Sequence, residues 1–347
     1  MTSAASPRPR KTLRVLITGA TGFVGRHLIT RLEAEEKAGR RPRLQITGTC
    51  YPERPEECPD FRAAAPRVTL LPLDLRDAAA VSAAVAACRP DRIFHLAAIS
   101  QVRASWDQRR ETIETNLMGT FHLLEAARLR APEARLLIIS SSDVYGNQPS
   151  RRMPLRETFP LNAASPYGFT KLSAEALAAL YARAEKTAVV IARPFTHTGP
   201  GQSPDFVCSD WARQIAVIEA AATGKKSGRG PSRVLKVGNT SVRRDYSDVR
   251  DVVRAYTLLI EKGRPGEAYN ICSGKARPLR EILKMLLRDS REKIVVEVDP
   301  ARVRRSDIPL LSGSHAKITR ETGWRPRIPL ETTLSDLLND WRAKMIR

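Results

Sequence analysis

The chain has 347 residues, of which 42% are hydrophobic and 27% charged, proportions that exclude a wholly disordered protein. This length predicts two domains, or one large α/β domain with an annex. No apolar run is long enough to span a membrane, and no signal-peptide core follows the first basic residues, so we expect a cytoplasmic protein. Residues 1–12 are predicted to form a disordered basic lead.

The net charge of +21 suits a ligand rich in negative charge, either a nucleic acid or a small anion. Basic residues are dense between Lys225 and Arg244, but aromatic residues make up only 5% of the chain and none lies within this run. Because stacking platforms for bases are missing there, the sequence favours a small anionic ligand over a nucleic acid. The five cysteines match no metal-ligand spacing, so no metal site is predicted.

Strands and helices alternate along the first half of the chain. The β-branched, apolar run at residues 12–18 is typical of a buried parallel strand, and residues 26–38 have the apolar spacing of a helix. Further strands are predicted at residues 44–49, 68–71, 91–97, 135–140 and 187–193, and further helices at residues 77–88, 112–130 and 167–184. This alternation predicts an α/β fold with a Rossmann-type, doubly wound parallel sheet.

The alternation stops after Arg193, where Pro194, Pro200 and Pro204 mark a loop region. Later helices are predicted at residues 205–223 and 277–287. We therefore predict a Rossmann domain followed by a smaller C-terminal α/β lobe for the substrate. The predicted division assigns residues 13–195 to the Rossmann domain, with 237–262 returning to it, and residues 196–236 and 263–347 to the lobe.

Glycines at a spacing of three join the first strand to the first helix. Gly19 permits a tight turn, Gly22 lets a pyrophosphate approach the backbone, and Gly25 lets the helix pack close to the sheet. The helix N-terminus adds free N–H groups and a partial positive charge. The segment therefore predicts an NAD(P) site whose loop contacts are Gly19, Thr21, Gly22, Phe23, Val24, Gly25 and Arg26.

The second predicted strand ends without the acidic residue that usually holds the adenosine ribose of NAD. A missing carboxylate removes repulsion of a 2′-phosphate, and Arg26 follows the glycine loop, so NADPH is favoured over NADH. Asp74 and Leu75, just past the third strand, are predicted to hold the adenine edge. The alternative for Asp74 is a cap of the next helix.

Tyr167 and Lys171 lie four residues apart, on one face of a predicted helix. A neighbouring ammonium group is expected to lower the pKa of the phenol and so make it useful for proton transfer, and Lys171 can also reach the nicotinamide ribose. Ser141, at the end of the fifth strand, is predicted to bond a substrate oxygen, unless it only caps that strand. Asn116 is predicted to bind a water that extends the proton path, unless it is a packing residue inside its helix.

Together these motifs resemble the extended short-chain dehydrogenases/reductases that act on nucleotide sugars. The later segments resemble GDP-6-deoxy-D-mannose reductases in particular, at residues 193–202, 206–215, 237–239, 244–251, 269–274 and 304–309. The resemblance implies that Arg244 and Arg304 contact a diphosphate and Asp307 a ribose. It further implies cofactor contacts from Leu96, Ala97, Ala98, Arg193 and Pro194, and substrate contacts from Ser142, Thr196, Phe206, Val207, Arg213 and Val237.

Two departures from related families bear on the reaction. Thr196 stands where the family usually has Asn, and Asp143 stands where 4,6-dehydratases have Glu. Asp is shorter by one methylene, ~1.5 Å of reach, and misplacement on the order of 1 Å can cost about 100-fold in rate. The resemblance and Asp143 therefore favour NAD(P)H-dependent reduction of GDP-4-dehydro-6-deoxy-D-mannose to GDP-D-rhamnose.

Several alternatives remain open at the level of sequence. One is a GDP-mannose 4,6-dehydratase or a nucleotide-sugar 4-epimerase, and another is a non-catalytic nucleotide- or RNA-binding scaffold, which the charge of +21 would suit. The family resemblance also implies a homodimer, formed through the helices that carry Asn116 and Tyr167.

Overall fold

A seven-stranded parallel sheet lies at the centre of the computed structural model, which describes residues 12–50, 59–223, 233–303 and 308–346. The strands, numbered along the chain, are β1 (Leu13–Thr18), β2 (Leu44–Cys50), β3 (Thr69–Pro72), β4 (Arg92–His95), β5 (Arg135–Ile139), β6 (Ala188–Pro194), β7 (His197–Thr198), β8 (Val234–Val237), β9 (Arg243–Asp245), β10 (Ser247–Asp248), β11 (Ala268–Ile271), β12 (Ala276–Pro278), β13 (Val295–Val298) and β14 (Leu310–Leu311). The order in the central sheet is β11-β6-β5-β4-β1-β2-β3, with every pairing parallel.

Helices cover both faces of this sheet. They are α1 (Phe23–Lys37), α2 (Pro59–Ala64), α3 (Ala78–Cys88), α4 (Ala104–Asp107), α5 (Arg109–Ile113), α6 (Gly119–Arg130), α7 (Pro166–Ala184), α8 (Val207–Thr223), α9 (Val249–Lys262), α10 (Leu279–Arg288), α11 (Ala316–Thr322) and α12 (Leu330–Ile346). Helices α1 and α9 share one apolar core with the sheet, and α3, α6 and α7 share the other. Among the described residues, no helix is long and apolar enough to cross a membrane.

The inner strands of the sheet are largely buried on both faces, which is why their sequences read as nearly continuous apolar runs, whereas the edge strand β3 is partly exposed. In β5, Leu136, Leu137 and Ile138 are all at most 1% exposed, and they alternate between the two cores. The strand order reverses direction between β1 and β4, so a crevice opens there at the carboxyl ends of the strands. The predicted Rossmann-type, doubly wound fold is confirmed.

Besides small shifts at element ends, two differences from the predictions change the architecture. The helix predicted at residues 112–130 is three consecutive segments, because a π-helical turn (Glu114–Met118) lies between α5 and α6. In addition, residues 268–271, predicted to belong to the lobe, form a strand of the central sheet. Strand β11 pairs with β6 at the edge of the sheet. The side chains of Tyr269 and Ile271 are fully buried in the sheet core, which stabilises this pairing.

The remaining C-terminal elements form a smaller apolar core of their own, shared by α8, α10, α12 and β8. Val237 belongs to β8 in this core rather than to the central sheet, whereas α9 packs on the central sheet. The division into two domains remains a prediction, and residues 1–11 of the basic lead predicted at residues 1–12 lie outside the described residues.

Candidate active site

A glycine-rich turn joins β1 to α1 at the carboxyl edge of the sheet. Gly19 has a φ of +69°, which favours glycine, and a Cβ there would lie 2.9 Å from the backbone of Ala97. A Cβ on Gly25 would lie 2.5 Å from the carbonyl oxygens of Gly19 and Ala20, so α1 packs closely on the turn. Gly22 caps α1 and brings no side chain over its first N–H groups. This backbone cradle fits the diphosphate of a dinucleotide cofactor.

The residues around this turn connect it to neighbouring elements. Arg26 Nε donates to the Thr21 carbonyl at 2.9 Å, and the guanidinium lies 5.3 Å from the centre of the Phe61 ring. Phe23 stacks parallel to His197, with the ring centres 6.3 Å apart. The turn is thereby packed against the chain that follows β6. Val24 is half-buried in the first turn of α1, and the segment after β2, residues 51–58, lies outside the described residues.

Asp74 and Leu75 follow β3, at the end of the crevice where the adenosine of a dinucleotide lies in this fold. Arg76 binds the Asp74 carboxylate through its backbone N–H, Nε and Nη2 at 2.6–3.0 Å, and these hydrogen bonds lower the pKa of Asp74. The alternative interpretation of Asp74 as a helix cap is wrong. The cap of α3 is Asp77, whose side chain accepts the Ala80 N–H at 3.0 Å.

Ser141 and Asp143 lie in the turn directly after β5. The Ser141 hydroxyl donates to Asp143 Oδ2 at 2.8 Å and accepts the Asp143 N–H at 3.1 Å. Helix α7 begins beside this turn, where Ser165 caps it by accepting the Gly168 N–H at 3.0 Å. A Cβ on Gly168 would lie 3.1 Å from the Asp143 carbonyl, so the turn and the helix are in close contact. The contact brings Tyr167 next to Ser141.

Burial and the nearby Asp143 carboxylate raise the pKa of Tyr167, while the Ser141 hydroxyl opposes the change. The net direction is opposite to the predicted lowering by Lys171, because burial outweighs the opposing contacts. Lys171 Nζ lies 5.9 Å from the centre of the Tyr167 ring and donates to the Ile139 carbonyl at 2.8 Å. Burial lowers the pKa of Lys171 to about 8. At neutral pH the site therefore holds a protonated phenol beside a mostly charged ammonium group.

Asn116 lies in the π-helical turn, a rare conformation that occurs often at functional sites. Its amide Nδ2 donates to the Ile99 carbonyl at 3.0 Å and to Thr170 Oγ1 at 3.2 Å, and its Oδ1 accepts the Ile99 N–H at 2.8 Å. Both amide hydrogens are thus committed to protein partners, and the residue ties the segment after β4 to α7. The water relay through Asn116 stays a prediction.

Two buried side chains that no motif identified support this arrangement. Ser105 accepts the backbone N–H of Tyr167 at 3.2 Å, which satisfies a donor in the first turn of α7. His95 bonds Thr18 Oγ1 at 2.8 Å and Thr120 Oγ1 at 2.9 Å. Burial lowers the pKa of His95 to about 3, so the ring is neutral and serves as a hydrogen-bonding bridge between β1, β4 and α6. A single histidine at a strand end carries no sequence signal strong enough to predict this role.

The predicted cofactor contact of Arg193 is not available to its side chain. The guanidinium is buried and donates to Glu175 on α7 at 2.6–3.0 Å and to the Tyr145 hydroxyl at 3.0 Å. A buried carboxylate left without such a partner would be costly, which explains why the arginine turns inward. Leu96, Ala97, Ala98 and Pro194 do lie at the ends of β4 and β6, on the edge of the sheet that bears the glycine turn.

The predicted substrate residues are spread over the edge of the sheet and the C-terminal lobe. The Thr196 carbonyl accepts the Ser247 N–H at 2.9 Å. Arg244 on β9 donates to the Ile308 carbonyl at 2.5 Å, and Arg213 on α8 lies 3.7 Å from Asp210. Buried Ser142 follows Ser141, Phe206 is half-buried just before α8, and Val207 and Val237 pack with the lobe core. Arg304 and Asp307 lie outside the described residues.

Comparison with known proteins places this geometry in a family. The sequence model of the family described as GDP-mannose 4,6 dehydratase matches residues 16–337. A GDP-6-deoxy-D-mannose reductase of Pseudomonas aeruginosa is 34% identical over 334 residues, which cover 96% of this chain and 99% of the relative. A GDP-mannose 4,6-dehydratase of Yersinia enterocolitica is 26% identical over 76% of each chain.

A solved structure described as RMD from Pseudomonas aeruginosa complexed with NADPH is also similar. It has a TM-score of 0.77 and 31% identity, over 95% of this chain and 99% of that one. The seven-stranded sheet and the glycine turn agree with such a fold. The chain therefore belongs to the GDP-mannose 4,6-dehydratase family, within the extended short-chain dehydrogenases/reductases, which are NAD(P)-dependent oxidoreductases.

Proposed function

We propose that the protein reduces the C4 ketone of GDP-4-dehydro-6-deoxy-D-mannose to GDP-D-rhamnose, with NADPH preferred over NADH. One observation carries this proposal. The buried Tyr167 phenol, whose pKa is raised by burial, lies beside Ser141 at the sheet edge, two strands from the glycine turn. A protonated phenol is an acid, which a ketone reduction needs as negative charge develops on oxygen. A reaction that begins by oxidising the sugar needs a base instead.

Each side chain of the site has a role in this reduction. The bound reduced nicotinamide supplies the hydride that C4 accepts. Ser141 turns its hydroxyl from Asp143 to the substrate oxygen, and Tyr167 gives its proton to that oxygen, so that the ketone becomes an alcohol. Lys171 stabilises the tyrosinate that is left, since a pKa of about 8 keeps its ammonium group mostly charged at neutral pH. Binding of the nucleotide holds the sugar in place, which makes the step effectively intramolecular.

The preference for NADPH rests on charge. Strand β2 (Leu44–Cys50) contains no Asp or Glu, so no carboxylate within the strand repels a 2′-phosphate. Arg26 supplies a guanidinium next to the glycine turn. A P. aeruginosa relative of known structure is described with NADPH, which supports the same choice. Comparing the Michaelis constants for NADPH and NADH tests the preference, and a lower value for NADH would contradict it.

Recognition of GDP is proposed for the C-terminal lobe. A diphosphate suits guanidinium groups, and Arg244 and Arg304 are the candidates, with Asp307 for the ribose. The described part of the lobe adds Arg302, which pairs with Asp210 on α8. Substituting Arg244 by Met should raise the Michaelis constant for the GDP-sugar at least ~10-fold with little effect on NADPH binding. An equal loss of NADPH binding would contradict the assignment.

The second candidate is GDP-mannose 4,6-dehydration, which the family model and the Yersinia relative favour by name. That reaction must remove a proton and expel water from the sugar, a task for a carboxylate with long reach. The Asp143 carboxylate instead accepts a hydrogen bond from Ser141 at 2.8 Å within its own turn. This short tether, together with the higher identity to a reductase, supports reduction over dehydration.

A homodimer is proposed as the assembly. An apolar groove runs between α6 and α7 and is lined by Leu117, Met118, Phe121, Leu177 and Leu180. Met118 is 40% and Leu180 48% exposed, which leaves an apolar stripe on two parallel catalytic-domain helices. A second copy would bury these side chains. Light scattering should show a dimer that Leu180→Glu dissociates, whereas Val217→Glu, on the lobe helix α8, should not; a monomeric parent protein would overturn the proposal.

The reaction is tested by mixing purified protein with NADPH or NADH and freshly prepared GDP-4-dehydro-6-deoxy-D-mannose. We expect loss of the reduced cofactor in equal amount to a new GDP-sugar, identified by nuclear magnetic resonance as GDP-D-rhamnose. A second assay supplies GDP-mannose in place of the keto sugar. Its conversion into the 4-keto sugar without loss of reduced cofactor would overturn the proposal in favour of the dehydratase. Inactivity in both assays would shift the substrate to another nucleotide sugar or leave a non-catalytic role.

A further inference from the structure

Glu175 is a buried carboxylate on α7, one turn beyond Lys171 and two turns beyond Tyr167. Three donor groups converge on it. Arg193 donates from Nε at 2.9 and 3.0 Å and from Nη2 at 2.6 Å, and the Ser140 hydroxyl donates to Oε1. Ser140 directly follows β5 and Arg193 lies in β6, so a single side chain on the helix holds the ends of two neighbouring strands.

The same network extends to the turn that carries Ser141. Arg193 Nη1 donates to the Tyr145 hydroxyl at 3.0 Å, and that hydroxyl donates to Asn270 Oδ1 at 2.8 Å. Tyr145 ends the 3₁₀ turn that begins at Ser142, one residue after Ser141. The carboxylate of Glu175 is thus linked both to the residue before Ser141 and to the end of the turn after it. A shift of Glu175 would move Ser141 relative to α7.

The stability of the fold does not require the charged Arg193–Glu175 pair at this buried position. Removing two charges from water is costly, and a well-packed apolar pair of similar volume is often at least as stable. Both side chains here are nearly inaccessible, at 6% exposure for Arg193 and 5% for Glu175. The charge therefore points to an effect on its neighbours. Lys171 is the neighbour on the same helical face: burial lowers its pKa, and the charge of Glu175 acts in the opposite direction.

We propose that Glu175 is a positioning residue that fixes Tyr167 and Lys171 against Ser141 and keeps Lys171 in its ammonium form. The inference rests on the proposed function, because it concerns the same proton-transfer site. Tyr167 and Glu175 face Lys171 from its own helix, His95 faces it from β4, and Asp143 faces the phenol from the turn after β5. The remaining charged group is the Arg193 guanidinium, which binds the Glu175 carboxylate from β6. His95, with a pKa of about 3, stays neutral in any assay near neutral pH, so Glu175 is the anion that acts on the ammonium group.

The test uses Glu175→Gln, which keeps the shape of the side chain and removes its charge. Without that charge the ammonium form of Lys171 is less stable, so the basic limb of the kcat/KM profile should move ~0.5–1 pH unit lower. At about pH 8, kcat should fall ~2–5-fold, in proportion to the loss of the ammonium form, while KM for the GDP-sugar changes less than ~2-fold. NADPH binding, followed by its fluorescence over the same pH range, should show the same displaced limb without turnover.

Glu219→Gln is the matched control. Glu219 on α8 is buried and pairs with Arg342 at 2.7–2.8 Å, so the variant loses a comparable buried charge in the C-terminal lobe. It should lose similar thermal stability and keep the parent pH profile. The proposal is overturned if Glu175→Gln keeps the parent limb in both turnover and NADPH binding.

A second variant keeps the proposal testable if Glu175→Gln does not fold. Ser140→Ala removes one donor to the carboxylate and leaves the ion pair in place. It should lower kcat ~3-fold with an unchanged KM, and an unchanged kcat would overturn the positioning role. Failure of the proposed function is a separate result. In that case the parent protein does not reduce the sugar, while Glu175→Gln still displaces the pH limb of NADPH binding.

Discussion

Lys171 should make the folded protein more stable as the pH rises, and replacing it by Met should remove that dependence. Burial lowers the pKa of the folded-state ammonium group from an ordinary value of 10.5 to about 8. Between these two values the unfolded chain binds the proton and the folded protein releases it. Stability therefore increases with pH through this window, since the cost of burying a charge disappears.

The size of the effect follows from the two pKa values. Each pH unit inside the window is worth ~1.4 kcal/mol, so the buried ammonium group costs ~3 kcal/mol at about pH 7 and ~1 kcal/mol at about pH 10. Lys171→Met escapes this cost but leaves the Ile139 carbonyl without its donor, a loss of ~1–3 kcal/mol at any pH. The variant should accordingly be at least as stable as the parent at pH 7 and lose ~2 kcal/mol relative to it by pH 10.

Urea unfolding of both proteins at several pH values, followed by tryptophan fluorescence, measures this difference. Taking the difference between variant and parent cancels other titrating groups. Lys344→Met is the control, because Lys344 pairs with Asp340 at an exposed position, so this variant loses a lysine without losing a buried charge. A difference between Lys171→Met and the parent that stays flat from about pH 7 to pH 10 would refute the burial argument.

Three further substitutions test other parts of the site. Tyr167→Phe should lower kcat at least ~100-fold, because the proton donor is lost, while NADPH binding measured by fluorescence changes less than ~2-fold; comparable turnover would contradict the assignment. Gly25→Ala should abolish NADPH binding and lower the free energy of unfolding by ~2 kcal/mol or more, since the new Cβ meets two carbonyl oxygens at 2.5 Å. Asp143→Ala should lower kcat/KM only ~3–10-fold in the reductase assay, because Ser141 loses an orienting acceptor; a loss as large as that of Tyr167→Phe would place Asp143 in the chemistry itself.

Much of the fold could be predicted because the inner strands of the sheet are buried on both faces. The apolar run before Gly19 and the glycine spacing define β1, the turn and α1 together. The π-helical turn at Asn116 could not be predicted, because a single widened turn leaves the apolar spacing of the helix almost unchanged. Strand β11 could not be predicted either, because a run of four residues is compatible with both a strand and a loop. Its pairing with β6 decides between them.

Those parts of the site could be predicted in which the spacing along the sequence determines which side chains are neighbours. Tyr167 and Lys171 lie on one helical face by virtue of their four-residue separation. The inward orientation of Arg193 depends on Glu175, which reaches it only because α7 packs over β6. The pKa of Tyr167 depends on burial, which no local sequence pattern reports. That this pKa is raised could therefore be learned only from the tertiary structure.

The proposed reaction is a net transfer of hydride from the cofactor to C4 of a GDP-linked keto sugar. NADPH that carries deuterium on the transferable position of its nicotinamide reports this transfer. Mass spectrometry of the product should find one deuterium at C4 of a GDP-6-deoxyhexose, with an equal amount of NADP⁺ formed. A product without deuterium, or GDP-mannose converted to the 4-keto sugar with no cofactor consumed, would contradict the proposed reduction.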